Sequence, residues 1–253
     1  FGVSAVQAED WPQWMGPKRD GVWSETGLIQ KFSVDGPKVV WRVPVGGGYA
    51  GPAVANGKVY LTDYQTSDDT TPDAAKRSKL NGKERVLCYN SVTGKLLWKH
   101  EYDCPYHISY PAGPRATPTV HDGKVYTLGA EGNLFALDAN TGKVLWSHDL
   151  KIEYKTEAPI WSFCGHPLID GDKLICLVGG NGSVLAAFNK NDGKQIWKSL
   201  TASQSGYSPP TIIEAGGTRQ LIIWHAEAIA SVNPETGKKY WSVPLEPAYG
   251  MAI

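Results

Sequence analysis

Four segments of the chain open on proline and run into an apolar stretch, a glycine turn and a second apolar stretch. They read "GPAVANGKVYLTD", "TPTVHDGKVYTLG", "HPLIDGDKLICLVG" and "PPTIIEAGGTRQLIIW". Aligned on Pro52, Pro118, Pro167 and Pro210, they place Tyr49, Arg115, Cys164 and Tyr207 at one equivalent position, three residues earlier. A guanidinium and two phenols brought to one place make a pocket for an anion or a carbonyl oxygen. The competing reading is that they fill space and bond to nearby backbone. Trp161, between the second and third segments, adds an aromatic face that can stack. His107, His166 and His225 lie in connections and are candidates for proton transfer or metal ligation. Glu227 is the acidic residue beside His225.

Other residues with chemical potential sort into structural roles. His100 and His148 each follow a repeated tryptophan by two positions, and His121 lies in a turn. Cys88 takes a small apolar slot filled elsewhere by Ala136, Ala187 and Ser231, and Cys176 sits inside "KLICLVG". Both read as inert core thiols. Cys104 and Cys164 lie in longer connections, either joined as a disulfide or both free, since spacing does not fix pairing. "VGGGYAGP" lacks the lysine of a phosphate loop, and "GGNGS" reads as a turn. There is no G-x-S-x-G elbow. "SDDTTPD" reads as solvated loop before it reads as a calcium ligand set. Lysine plus arginine equals aspartate plus glutamate at 25 each, which leaves no net field for nucleic acid or an anionic membrane. No apolar run reaches the roughly 18 residues of a spanning helix.

The elements that position these residues come from a repeat. "CYNSVTGKLLW", "ALDANTGKVLW", "AFNKNDGKQIW" and "SVNPETGKKYW" end at Trp98, Trp146, Trp197 and Trp241. Each is a buried strand, an Asx-rich turn and the start of another strand. Gly94, Gly142, Gly193 and Gly237 recur where the turn needs a positive φ. One tryptophan per repeat at a fixed offset is a packing anchor rather than chemistry. Joined to the proline-led hairpin upstream, each repeat holds four strands. Intervals of roughly 45–55 residues match a propeller blade. The longer first interval holds the polar insertion "YQTSDDTTPDAAKRSKLNGKE", expected to be a surface loop.

These phrases resemble A-x-D-x-x-T-G-x-x-x-W, the tryptophan-docking repeat of the pyrroloquinoline-quinone-type β-propellers, which include quinoprotein alcohol dehydrogenases and the outer-membrane assembly lipoprotein. "DWPQWMGPKRDG" is similar to the mature N-terminus of exported propellers of this type. The resemblance spans residues 10–253 and implies an all-β propeller of four-stranded antiparallel blades. Blades are expected near 45–98, 99–146, 147–197 and 198–241, with the next beginning at 242–253. Residues 1–10 read either as the remnant of an export signal or as a disordered end. All four repeat tryptophans are expected to be largely buried at blade interfaces. "PKVVWRVPVG" around Trp41 reads as an outermost strand that closes the ring on the final blade. Four blades suggest half of a seven- or eight-bladed protein, completed by the rest of a chain or by a second copy.

The resemblance also places the proline strand innermost. Tyr49, Arg115, Cys164 and Tyr207 then ring one mouth of the channel, near Trp161 and His166, with His225 and Glu227 on the same loop-rich face. It implies an exported, periplasmic or cell-envelope protein. Two functions follow. One is a non-catalytic scaffold that takes a protein or glycan on the loop face. The other is a dehydrogenase of alcohols or sugars using pyrroloquinoline quinone and calcium, with Trp161 stacking and Arg115 holding the quinone. Many such enzymes carry adjacent cysteines, which this sequence lacks.

Overall fold

A computed structural model describes residues 9–248. Its strands form four antiparallel sheets of four strands each. The first holds β1 (Ala53–Ala55), β2 (Lys58–Gln65), β4 (Lys83–Asn90) and β5 (Leu96–Asp103). The second holds β7 (Thr119–His121), β8 (Lys124–Leu128), β9 (Asn133–Asp138) and β10 (Val144–Asp149). The third runs through β11 (Leu168–Asp170), β12 (Lys173–Leu177), β13 (Leu185–Asn189) and β14 (Gln195–Ser199). The fourth runs through β15 (Thr211–Ala215), β16 (Thr218–Trp224), β17 (Ala228–Val232) and β18 (Lys239–Pro244). Within each sheet the strands lie side by side in chain order, which makes every sheet a meander.

The repeated turn has one local cause. The side chains of Asn90, Asp138, Asn189 and Asn233 each accept the backbone N–H groups two and three residues on. This Asx turn is closed by the glycine N–H, which donates back to the Asx carbonyl at 2.8–2.9 Å. Just beyond, the pairing of the last two strands slips by one residue in all four sheets. The bulge turns the tryptophan out of its own sheet and toward the next.

Three of the four tryptophans then land on the glycine of the following sheet. Trp98 lies over Gly142, Trp146 over Gly193 and Trp197 over Gly237; a Cβ on those glycines would come within 2.5–2.8 Å of the indole. The indole N–H donates to a carbonyl of the same turn: Ala139 for Trp98, Lys190 for Trp146 and Pro234 for Trp197. Tyr60 and Tyr126 add their hydroxyls to the Ala139 and Lys190 carbonyls. Apolar clusters fill the same gaps, with Cys88, Val86, Val125 and Leu137 between the first two sheets. Leu174, Cys176, Leu134 and Ala136 lie between the second and third, and Ile175, Leu177, Leu221 and Ile223 between the third and fourth. Sheet-on-sheet docking, rather than any one sheet, therefore makes the core.

Several expectations change. Trp241 is 41% exposed, not buried, because the described residues offer no following turn; its N–H turns back to Gln220 Oε1 of its own sheet. Residues 37–46 form no strand, yet Trp41 docks on Gly94 and donates to the Ser91 carbonyl as though it ended a preceding blade. The polar insertion is not all loop: β3 (Ser78–Leu80) pairs with β6 (Tyr106–Ile108). A short helix, α1 (Leu150–Tyr154), capped by Asp149, interrupts the otherwise β chain. β18 reaches Pro244, so residues 242–244 belong to the fourth sheet, and 249–253 lie outside the described residues, as do 1–8.

Candidate functional site

The first strand of each sheet, β1, β7, β11 or β15, is an edge, and one N-terminal strap touches all four. Trp11 pairs with Val54 through both backbone groups, and the Pro12 carbonyl accepts the Val120 N–H. Arg19 then donates to the carbonyls of Pro167, His166 and Pro210. Four edges bridged by the nine residues from Trp11 to Arg19 must converge, so these strands line the axis. Burial lowers the Arg19 pKa to about 10, yet three carbonyls hold the cation and its guanidinium lies 5.3 Å from the Trp14 ring.

Between strap and sheets lies a cleft of about 550 Å³ lined by Trp11, Gln13, Trp14, Trp23, Tyr49 and Arg115, with Thr117 and His166 deeper in. The glycine run before Tyr49 explains how the backbones approach so closely. Gly46 N–H donates to Asp63 Oδ2, and Tyr49 and Ala50 N–H both donate to the Pro114 carbonyl. A side chain at Gly46 or Gly47 would collide with the carbonyls of Tyr64 or Ala112. That seats the Tyr49 ring 4.9 Å from the Arg115 guanidinium.

Arg115 is itself held by backbone: Nη1 donates to Gly113 and Nη2 to Ser109 and Tyr110 carbonyls. Its charge reaches Cys164 and Tyr207, pulling both pKa values down against the stronger upward push of burial. Cys164 Sγ donates to the Trp161 carbonyl at 3.0 Å, and Tyr207 Oη accepts the Trp161 N–H. The Trp161 indole is tied to the Ala74 carbonyl and tilts 36° against the Tyr207 ring. Tyr49, Arg115, Cys164, Tyr207, Trp161 and His166 are thus neighbours. His166 stacks on Trp14 at 4.9 Å, and burial and Arg19 lower its pKa to about 4, which keeps the imidazole neutral.

His225 and Glu227 lie apart, in a groove between the third and fourth sheets with Thr201 and Lys239. The Glu227 carboxylate accepts the Ser203 N–H, and His225 Nδ1 accepts the Glu227 N–H. His107 is on β6, its backbone N–H donating to Glu131. All four cysteines are free thiols; Cys104 Sγ turns to Asn133 while Cys164 turns to Trp161. The strap residues Trp11, Gln13, Trp14 and Trp23 belong to no repeat, so register reasoning missed them. Their signal was three tryptophans packed into the non-repeating opening segment.

The family's cofactor pair can be tested against these residues. Calcium needs several oxygen ligands. Among the described residues no three His, Cys, Asp or Glu side chains gather into a cation site, and the axial cleft carries no carboxylate. The residues present do not fit the metal half of the pair.

Four tryptophan-docked meanders converging on a strapped axis define a β-propeller of the quinoprotein type, with about four blades. The family model described as outer membrane protein assembly factor BamB matches residues 25–159 and 82–252, and the chain belongs to that family. The chain is also similar to the quinoprotein ethanol dehydrogenase of Pseudomonas aeruginosa, 27% identical over 227 residues, covering 78% of this chain and 34% of that protein. The corresponding enzyme of Pseudomonas putida is 26% identical over 160 residues, 53% of this chain and 23% of that one. The chain therefore spans about a third or less of the length of these relatives. Among solved structures, the quinohemoprotein alcohol dehydrogenase of Comamonas testosteroni superposes with a TM-score of 0.59 at 18% identity, over 95% of this chain and 42% of that one.

Proposed function

We propose that the chain is a non-catalytic propeller module, exported to the periplasm or cell envelope, that binds a protein or glycan partner at the axial cleft and loop-rich face. One observation carries this reading: the groups suited to proton transfer already serve the fold. Glu227 caps the Ser203 N–H, and Glu84 is buried under the hydroxyls of Tyr102 and Tyr106. The Arg115 guanidinium is tied down by three carbonyls. The role in the family's name, outer membrane protein assembly, supports a scaffold and an envelope location.

A dehydrogenase is the second reading, favoured by the likeness to ethanol dehydrogenases over most of this chain. The test is dye-linked oxidation of ethanol and glucose after incubation with pyrroloquinoline quinone and calcium. The scaffold reading expects no turnover and no calcium-dependent rise in melting temperature. Quinone-dependent turnover overturns it.

A further inference from the structure

We propose that the axial cleft is a saccharide site selective for acidic sugars, with its aromatic wall supplied by the N-terminal strap. This rests on the binding-module reading and names its ligand class.

The aromatic wall comes first. Trp23 is 58% exposed and Tyr49 47% exposed, although both face a concavity. Large aromatic faces left wet inside a cleft mark a binding surface. The neighbouring rings are already engaged. Trp14 lies between His166 and Arg19, and one face of Trp11 rests on Gly16, where a Cβ would approach to 2.8 Å. Arg115 already lies 4.9 Å from the Tyr49 ring and Trp23 leans on Trp11, but both keep about half of their surface open to the cleft.

Ring geometry then selects the ligand shape. Trp11 and Trp23 stand 5.7 Å apart with their planes at 35°. They are too close and too splayed to hold a flat aromatic ring between two parallel faces. A puckered sugar ring needs only one aromatic face for its C–H side, with hydrogen-bonding groups at its edge. The cleft has them. Gln13 Nε2 is taken by the Pro17 carbonyl, which leaves Oε1 to accept, and Thr117 adds a hydroxyl.

Charge selects the acidic subclass. No aspartate or glutamate lines the cleft, and His166 is neutral. Arg85 and Arg219 elsewhere are paired with Asp63 and Asp170. Among the described residues Arg19, Arg42, Arg77 and Arg115 have no carboxylate partner, and of these Arg19, Arg77 and Arg115 are held by carbonyls. Arg115 keeps its Nε–H and one Nη1 N–H beyond those given to the carbonyls, so it offers a carboxylate its charge and a single charge-assisted hydrogen bond. A uronate ring seated on Tyr49 or Trp23 brings its carboxylate toward that charge.

The test is a titration of the intact chain, followed by calorimetry and tryptophan fluorescence. Trigalacturonate is the acidic probe, maltotriose the neutral one, and pyrroloquinoline quinone the flat anionic one. Saturable binding of trigalacturonate is expected, at least tenfold tighter than maltotriose and weakened severalfold between 50 and 500 mM salt, all as order-of-magnitude expectations. Trp23→Ala, at an exposed site, is expected to keep the wild-type melting temperature and lose about tenfold or more in affinity. Arg115→Gln removes the charge and is expected to bring the acidic probe down to the affinity of the neutral one; an unchanged preference overturns the proposal. Equal affinity for maltotriose, or unchanged binding in Trp23→Ala, overturns the proposal. Binding of neither sugar also overturns it and leaves the module reading standing. Quinone binding that brings ethanol turnover overturns the module reading as well.

Discussion

Gly142 and Gly123 form a matched pair on the second sheet. Both have φ of +71°, so replacing either with alanine imposes the same left-handed backbone strain, about 1–2 kcal/mol. Around Gly123 a new Cβ meets nothing within 4 Å. On Gly142 it would lie 2.5 and 2.7 Å from Cε3 and Cδ2 of Trp98, well inside contact distance. Trp98 is held by the second sheet's apolar gap and by its bond to the Ala139 carbonyl at 3.1 Å. Moving it costs overpacking strain of roughly 1–3 kcal/mol, or a hydrogen bond of about 1 kcal/mol if the ring swings away. Gly142→Ala is therefore expected to lose about 2–5 kcal/mol and Gly123→Ala only about 1–2 kcal/mol. Urea unfolding followed by circular dichroism gives both numbers from the midpoints. In a Trp98→Ala background the cost of Gly142→Ala should fall to that of Gly123→Ala. Equal losses for the two single variants would refute the argument that sheets are registered by indole on glycine.

Trp146→Ala is expected to cost about 3–5 kcal/mol in the same assay, whereas Trp241→Ala, 41% exposed and with no glycine beneath it among the described residues, should cost less than about 1 kcal/mol. The His166 pKa near 4 lies below the unfolded value near 6.5, so the unfolded chain takes the proton first as pH falls. Stability from this group is full above about pH 6.5 and is lost down to pH 4, roughly 3 kcal/mol in all. His166→Phe, which keeps the ring on Trp14, should flatten that part of the pH–stability curve; an unchanged slope contradicts the assignment. Burial raises the Glu84 pKa above the carboxylate range, more than its tyrosine and Ala130 hydrogen bonds lower it. The folded state then holds its proton longer than the unfolded one, and stability falls as pH rises through that window. Glu84→Gln should gain on the wild type across that interval in thermal melts at stepped pH.

The repeat was legible because one turn writes it four times. An Asx, a glycine and a tryptophan at fixed offsets specify a hairpin, a bulge and a docking contact, each local in cause. Aligning on proline likewise set Tyr49, Arg115, Cys164 and Tyr207 at one offset ahead of each first strand, and the four lie near one another in the fold. Two things were hidden. The strap pairs with strands that follow it by about 40 to 190 residues, and nothing periodic marks such a partner. Trp241 carries the same motif as its siblings, but burial belongs to the pair of sheets and not to the motif. His225 and Glu227 show a similar limit. They share a face in sequence logic, yet the sheet-to-sheet offset sets them in a different groove.

Trp41 on Gly94 acts as a chain terminator. Head-to-tail growth by sheet docking needs one free donor and one free acceptor on each unit. The donor is present: Trp241, with Tyr240 and Val243 beside it, all exposed. The acceptor is already taken, because the glycine of the first turn and the Ser91 carbonyl are occupied from within the same chain. A second copy adding through this contact, whether to close a ring or to extend a filament, must first evict Trp41. The docking turn of the first sheet is thus satisfied from within the chain itself, and that face offers a second tryptophan no open glycine seat.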